Sequence, residues 1–132
     1  MTTKNTTAKT VEYTGTVKKA TTVVIPQTIT INGTTYKVTS IASNAFKGNK
    51  TVKRITIGAN IKTIPTNAFK NCRNLKRVVI GKNVTKIGAK AFYGCKSLTQ
   101  VVMPAKLTVI GANAFYNCIN LFQIIFLSYP IG

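Results

Sequence analysis

The sequence predicts a repeat solenoid that is rich in β-strand. Three observations lead to this fold class: a period of 23 residues, an apolar strand pattern that recurs once in each period, and turn-forming residues at fixed places between those patterns. The chain's only cysteines, Cys72, Cys95 and Cys118, follow the period and mark it most plainly. In such a fold each unit buries its apolar edge only by stacking on the next unit, so the residues of one column come to lie side by side.

Four copies of the repeat align, over residues 38–60, 61–83, 84–106 and 107–129. In each copy a leucine or valine is followed after three and five residues by further apolar side chains, as in Leu75, Val78 and Ile80. This spacing predicts a short strand whose alternate side chains point inward. A period of roughly 20 to 29 residues with this strand pattern is typical of a leucine-rich-repeat solenoid.

An Ala-Phe pair recurs between the strands, and we expect its phenylalanine to be the main contributor to the core. A Gly or Asn follows in each copy, and these two residues take positive φ most readily. We therefore predict a single turn of α- or 3₁₀-helix on the convex side that ends at this position. The pairs are Ala45-Phe46, Ala68-Phe69, Ala91-Phe92 and Ala114-Phe115, and the turn residues are Gly48, Asn71, Gly94 and Asn117.

The N-terminal part is predicted to cap the open end of the solenoid. We expect residues 1–19 to form a flexible tail and lead-in, and residues 20–37 to form a capping half-repeat. Alternating runs on either side of Asn32-Gly33 predict a β-hairpin with a type I′ turn there. Four 23-residue repeats then occupy residues 38–129, and residues 130–132 form a second tail.

The charge balance excludes most kinds of catalytic site. The chain has 19 Lys and Arg against a single acid, Glu12, and it has no His. General acid–base pairs, Ser-His-Asp and Cys-His systems, and His or carboxylate metal sites all need residues that are missing. The sequence therefore predicts a protein that is not an enzyme, with no catalytic, cofactor-binding or metal-binding residues. It also contains no apolar run long enough to span a membrane, and residues 1–16 lack the apolar core of a signal peptide.

The cysteines are expected to be buried free thiols. Stacked repeats place neighbouring Cys Cα atoms about 4.8 Å apart, the spacing between strands, which lies inside the range for a disulfide. Parallel side chains keep their Cβ atoms at the same separation, however, and that is beyond the usual bonding distance. The three thiols are therefore predicted to act as small apolar side chains.

With these columns in place, the chain resembles the BspA-like leucine-rich repeats of bacterial surface proteins. Their pattern, L-x-x-V-x-I-P-x-x-V-x-x-I-G-x-x-A-F-x-x-C, is carried here by Leu75 to Cys95 and by Leu98 to Cys118, and the resemblance covers about residues 20–129. The chain departs from the pattern at Asn49, in place of a cysteine, and at Pro65, in place of a glycine. The resemblance implies a secreted or cell-surface protein that adheres to host or neighbouring-cell macromolecules, with no catalytic residues to carry over.

The predicted concave face of the strands is the first candidate binding surface. A polar row beside an exposed β-branched row is where a solenoid binds a protein or peptide. The alternative is that the β-branched residues only favour the strand. The polar row is Arg54, Arg77, Gln100 and Gln123, and the β-branched row is Thr56, Val79, Val102 and Ile125.

A basic surface is the second candidate. It predicts binding of polyanions, such as an anionic glycan, a wall polymer or nucleic acid, with an affinity that falls as salt rises. The alternative is a solvated face with no dedicated partner. No specific nucleic-acid site is predicted, because Tyr93 and Tyr116 are the only aromatic residues placed on the convex side and no stacking platform is evident. The basic residues are Lys47, Lys50, Lys53, Lys70, Arg73, Lys76 and Lys96.

The C-terminal end differs from the rest of the chain. Every Lys and Arg lies at or before Lys106, so the last 26 residues carry no charge. A terminal repeat normally presents a polar cap, and an apolar end with an unpaired strand is prone to association. We therefore hypothesise that this end is covered, either by a second copy in a homodimer or by further repeats. The interface candidates are Ile119, Phe122, Phe126, Leu127 and Tyr129.

Overall fold

The computed structural model describes residues 2–5, 9–15 and 19–127. Strands connected by turns make up these residues, and no helix occurs among them. In chain order the strands are β1 Thr2–Asn5, β2 Thr10–Tyr13, β3 Thr22–Ile25, β4 Thr28–Ile31, β5 Thr34–Ile41, β6 Arg54–Ile57, β7 Thr63–Ile64, β8 Arg77–Val79, β9 Lys86–Ile87, β10 Gln100–Met103, β11 Val109–Ile110 and β12 Gln123–Phe126.

The longest sheet is parallel and contains the strand of every repeat, in the order β12-β10-β8-β6-β3. Its register follows the period, since Val78 lies opposite Ile55 on one side and Val101 on the other. The inward residues of its middle strands are buried, as the alternating pattern predicts. A second parallel sheet, β11-β9-β7, forms the opposite wall of the stack from strands of only two residues. The solenoid is confirmed.

The turns between the two walls differ from the prediction. A short helix was expected around each Ala-Phe pair, but the structure has consecutive hydrogen-bonded turns instead. The amide of Phe46 donates to Ala68 O of the next coil at 2.8 Å, and the amide of Gly48 donates to Lys70 O at 2.8 Å. Every second amide thus donates to a neighbouring coil. An α-helix cannot form here, because it needs these amides to donate to carbonyls of the same segment.

Two columns of these turns adopt positive φ. The predicted column is confirmed. A second column lies four residues before it, at the third position of the first turn in each repeat, where a type II turn requires φ above zero. Asn in three of its four members was the sequence signal for this second column. The φ values are 73° at Gly48, 60° at Asn71, 72° at Gly94 and 61° at Asn117, then 64° at Asn44, 60° at Asn67, 56° at Lys90 and 58° at Asn113.

Lys90 is the exception in the second column, and replacing it with asparagine is expected to stabilise the protein by roughly 0.5 to 1 kcal/mol. A left-handed conformation costs a residue with a Cβ roughly 1 to 2 kcal/mol, and Asn tolerates it better than Lys. Part of the gain is offset because the Lys90 ammonium, 5.9 Å from the Tyr93 ring centre, no longer contacts that ring. Urea denaturation measures the change in the free energy of unfolding.

Lys82→Asn is the matched control for this substitution. Lys82 is also an exposed turn lysine, and its φ is not positive. Both variants remove one positive charge from a highly basic chain, so relief of repulsion contributes equally to both. An equal gain in the two variants would contradict the conformational explanation.

The aromatic column forms the centre of the core, as predicted. Five rings stack along the solenoid, and the separations between ring centres are 5.6 Å for Tyr13–Phe46, 5.0 Å for Phe46–Phe69, 5.1 Å for Phe69–Phe92 and 5.1 Å for Phe92–Phe115. Offset stacking at such distances is favourable beyond the burial of area. The rings therefore join every coil to its neighbours.

The N-terminal cap is larger than predicted. The expected hairpin is present as β4 and β5, and its turn residues Asn32 and Gly33 have φ of 50° and 81°, as a type I′ turn requires. Where a tail and lead-in were expected, β1 pairs with β2, and β2 pairs in parallel with β5. Burial of Val11 explains this difference, because an apolar side chain in β2 joins the core. The predicted C-terminal tail, residues 130–132, lies outside the described residues.

Candidate binding surfaces

The polar row lies along the outer face of the five-stranded sheet, here called the sheet face, which corresponds to the predicted concave face. Strand register places its four residues side by side at the same level of β6, β8, β10 and β12. A hydrogen-bonded chain joins three of them: Arg77 Nε donates to Gln100 Oε1, and Gln100 Nε2 donates to Gln123 Oε1 at 2.6 Å. The repeat spacing predicted the row, but it did not predict these hydrogen bonds between its members.

The direction of this chain determines what the row can bind. A guanidinium only donates hydrogen bonds, so Gln100 turns its oxygen to Arg77 and its nitrogen to Gln123. Each glutamine oxygen therefore already accepts one hydrogen bond, and most of the unused hydrogen-bonding groups of the row are N–H donors. The exposed guanidinium of Arg54 adds further donors beside them. The row is therefore suited to a ligand rich in acceptors, such as carboxylates or main-chain carbonyls.

A shallow cavity of about 260 Å³ opens beside the polar row. Three cationic side chains line it, together with one exposed aromatic ring, and its residues are Arg54, Lys76, Arg77, Thr99, Gln100, Phe122 and Gln123. Sequence reasoning had assigned Lys76 and Phe122 to other surfaces, because strand spacing alone does not show that they reach this edge of the sheet face. The cavity combines positive charge with an apolar contact.

The β-branched row is only partly exposed, which corrects the prediction for one of its members. Val102 is 6% exposed, since it lies between Val79 and Ile125 in the register and both flanking side chains are branched. Thr56 is exposed, and Val79 and Ile125 are half-buried. A mainly apolar cavity of about 450 Å³ adjoins this row at Thr56, Val79, Gly81 and Leu127. The row therefore offers apolar contact at its ends rather than along its whole length.

The basic columns lie where the repeat alignment predicts. Lys47, Lys50, Lys53, Arg73, Lys76 and Lys96 are exposed, and Lys70 is half-buried. At the spacing of neighbouring strands, two like charges repel by just under about 1 kcal/mol in bulk water. The only acid, Glu12, accepts a hydrogen bond from Ser40 Oγ at 3.3 Å in the cap, on β2, away from these columns. The positive charge of the basic columns is therefore not neutralised by Glu12.

Tyr93 and Tyr116 stack on each other rather than standing apart. Their ring centres are 5.3 Å apart, and the Lys70 ammonium lies 5.2 Å from the centre of the Tyr93 ring. Both faces of Tyr93 are therefore occupied, and only the outer face of Tyr116 is open to stack on a ligand. The two rings therefore stabilise each other, and they do not form a platform on which several nucleic-acid bases could stack.

The cysteines are free, as predicted, and each thiol donates to the carbonyl at the equivalent position of the preceding coil. Cys72, Cys95 and Cys118 donate to the carbonyls of Phe46, Phe69 and Phe92 respectively, each at 3.1 Å. Burial raises the pKa of the Cys72 thiol to about 12, so it stays protonated near neutral pH. The column therefore joins coils and carries no thiolate chemistry at Cys72.

Asn49 takes the place of the cysteine in the first copy for a structural reason. Its Oδ1 accepts hydrogen bonds from the amides of Thr51 and Val52 at 2.9 and 3.0 Å, where the cap joins the first full coil. Thr51 Oγ1 then reaches Ala20 O at 3.3 Å. The departure from the repeat pattern belongs to this junction.

Within the described ranges, no group of three or more His, Cys, Asp or Glu side chains is placed to hold a metal ion. No helix that is long and apolar enough to cross a membrane occurs there either.

The last coil exposes side chains that earlier coils bury. Ile110 is 51% exposed while its equivalent Ile87 is 0% exposed, and Phe126 is 66% exposed while Met103 is 1% exposed. Four of the predicted interface residues, Ile119, Phe122, Phe126 and Leu127, are exposed, and Tyr129 lies outside the described residues. Within residues 19–127, no side chains cover these core positions of the last coil.

A family comparison identifies the repeat. The sequence profile of the BspA type leucine rich repeat region matches residues 23–129, in six copies. No match was found among curated proteins.

Several solved structures are similar to this one. A leucine-rich repeat protein from Bacteroides capillosus has 25% identity and a TM-score of 0.82, with 96% of this chain and 93% of that chain covered. One from Bacteroides ovatus has 26% identity and a TM-score of 0.65, with 95% and 39% covered. The pneumococcal vaccine antigen PcpA has 27% identity and a TM-score of 0.71, with 90% and 33% covered. The chain therefore spans nearly all of the first protein and less than half of the other two.

Proposed function

Because this chain belongs to the BspA-type leucine-rich repeat family, we propose that it is a non-enzymatic module that mediates adhesion by binding a protein of a host or neighbouring-cell surface through its sheet face. Proteins of this family are generally binding modules rather than enzymes, and they are typically secreted or surface proteins of bacteria. One similar structure is that of a vaccine antigen. A cell-surface or secreted location is part of the proposal.

The single observation that carries the proposal is the donor-rich polar row of the sheet face. Arg77, Gln100 and Gln123 are already ordered by their mutual hydrogen bonds, so little side-chain freedom is lost when a ligand binds. The adjacent cavity adds the cations of Arg54 and Lys76 and the ring of Phe122. This combination suits an acidic protein segment that also carries apolar side chains.

Electrostatic binding of a polyanion, such as an anionic glycan or wall polymer, is the second candidate function. The observation that favours it is the set of basic columns on the turns, which no acidic side chain neutralises within the described residues. Such binding depends on the number of charges rather than on their arrangement, and it weakens steeply as salt rises.

Replacing both Arg54 and Arg77 with alanine is expected to weaken binding of poly-L-glutamate at least about tenfold, which corresponds to 1.4 kcal/mol. Hydrogen bonds to charged groups contribute roughly 1.5 to 3 kcal/mol each, so the loss of two guanidinium groups accounts for a change of this size. Fluorescence anisotropy with labelled poly-L-glutamate measures the affinity at physiological salt.

Lys50→Gln with Lys96→Gln is the matched control, because it also removes two positive charges, from exposed positions outside the sheet face. The sheet-face proposal expects this control to bind almost as tightly as the wild-type chain. Equal weakening of both double variants, with the same loss for heparin as for poly-L-glutamate, would overturn it in favour of the polyanion function.

A further inference from the structure

We infer that the C-terminal end of the solenoid is a self-association surface, which pairs with the same end of a second copy of this chain about a twofold axis. This surface consists of the outer edge of β12 and the exposed apolar residues of the last coil, and it is called the end face below. The inference goes beyond the proposed function, because it concerns contact between two copies of this chain, although the end face adjoins the sheet face at Phe122 and Gln123.

Apolar side chains make the end face unlike any other part of the described surface. Ile110, Ile124 and Phe126 occupy positions that are buried in earlier coils, and here they are exposed among the described residues. Tyr116 and Ile119 extend the apolar area on the turn side. Clustered exposed apolar side chains of this kind are typical of an interaction surface.

Backbone groups of the end face also lack partners. In the third copy the amides of Lys90, Phe92 and Gly94 donate to carbonyls of the following coil at 3.0, 2.8 and 2.8 Å. The equivalent amides of the fourth copy, those of Asn113, Phe115 and Asn117, have no backbone acceptor within residues 2–5, 9–15 and 19–127. The strand β12 is an edge of its sheet. An edge strand is a template for pairing with another chain.

Charge favours a second copy as the occupant. The chain carries a net charge of +18, so two copies repel each other over most of their surface. Residues 107–132 carry no charged side chain, so the end face is the one end of the stack at which two copies meet without placing like charges together. Absence of charge also removes the desolvation penalty that a buried lysine would bring.

The opposite end of the solenoid presents no apolar face that matches the end face in a head-to-tail arrangement. There the aromatic stack ends on Tyr13, and β2 of the cap pairs with β5. Although β3 is also an edge strand, Val24 is the only large apolar side chain exposed among the described residues outside the last coil, so the end face finds its apolar match in another end face. An isologous contact about a twofold axis then lets the two β12 strands pair in antiparallel fashion and joins the two five-stranded sheets.

The test compares oligomeric states by sedimentation velocity over a range of micromolar concentrations. The wild-type chain is expected to sediment as a particle of twice 14.3 kDa, and the double variant Ile119→Lys with Phe126→Lys is expected to be a monomer. Lysine at position 119 suits the fold, because earlier copies have Lys50, Arg73 and Lys96 in that column. The dimer is expected to persist at high salt, since apolar contact does not depend on screened charge.

Val24→Lys with Thr39→Lys is the control for this experiment. Both residues are exposed, and Val24 lies on β3 at the other edge of the same sheet, so the control adds the same charge far from the end face. It is expected to remain a dimer. Its dissociation to the same extent as the end-face variant would overturn the inference, and so would a wild-type chain that is monomeric at every concentration.

Hydrogen exchange of the wild-type chain provides a second measurement that does not depend on a variant folding. The amides of Asn113, Phe115 and Asn117 and those of β12 are expected to become more protected as protein concentration rises. Protection that does not change with concentration would show that the end face is open or covered within one chain, and it would overturn the inference.

Discussion

Replacing Phe69 with alanine is expected to lower the free energy of unfolding by about 3 to 5 kcal/mol, the range for a fully buried phenylalanine. Phe69 is 0% exposed and stacks between Phe46 and Phe92, with ring centres 5.0 and 5.1 Å away. The substitution interrupts the aromatic stack at its centre and leaves a cavity between coils. Since whole domains are stable by only about 5 to 15 kcal/mol, a loss of this size removes a large part of the total.

Phe122→Ala is the matched control, because it deletes the same side chain where it is 79% exposed. Its free energy of unfolding is expected to change by less than about 0.5 kcal/mol. Guanidinium denaturation at low protein concentration, where self-association does not contribute, measures both variants. Similar losses at the two positions would contradict a core centred on the aromatic stack.

Gly81→Ala is expected to destabilise the protein by about 1 to 3 kcal/mol or more, the usual cost of overfilling a packed interior. A Cβ at position 81 lies 2.5 Å from Gly58 O and 2.6 Å from Ile57 O, closer than such atoms approach. Both contacts are backbone atoms of the preceding coil, so no side chain can rotate away. The substitution has to push neighbouring coils apart. Thermal unfolding followed by circular dichroism, together with urea titration, measures the loss.

The buried glycine Gly15 serves as the comparison for Gly81. A Cβ added to Gly15 meets Ala45 O at 3.4 Å, an ordinary contact, and neither glycine has positive φ. Gly15→Ala is therefore expected to be tolerated. It can even stabilise by about 0.4 to 1 kcal/mol, because alanine restricts the unfolded chain. Equal losses for the two substitutions would show that loss of glycine itself, rather than the contact between coils, is responsible.

Periodic residues were the easiest part of the fold to predict. Columns such as Phe46, Phe69 and Phe92 repeat at one spacing, and a stacked fold has to place equal positions side by side. The hairpin turn at Asn32-Gly33 was also predictable, since both residues accept positive φ. By contrast, β1 was missed because its threonine, lysine and asparagine content resembles that of a tail, and β2 was missed because its four residues are too few to show a pattern by themselves. Strand β2 pairs with β1 and with β5, and β5 is distant in sequence.

The candidate site was predictable in its position but not in its chemistry. Strand alternation placed Arg77, Gln100 and Gln123 on one outer row, and the register confirms that row. Alternation does not show which oxygen accepts from which nitrogen, so the excess of donors in the row was visible only in the structure. Burial of Val102 was missed for a related reason, because the pattern assigns a face and not the crowding on it.

Amino-acid order alone was sufficient to establish the repeat, the register of its strands and the uncharged C-terminal end. These follow from composition and spacing, because one period brings each column into line. The turns in place of helices, the closed N-terminal cap and the open end face depended on the folded chain. Each of them depends on hydrogen bonds and packing between neighbouring coils, which a sequence pattern does not specify.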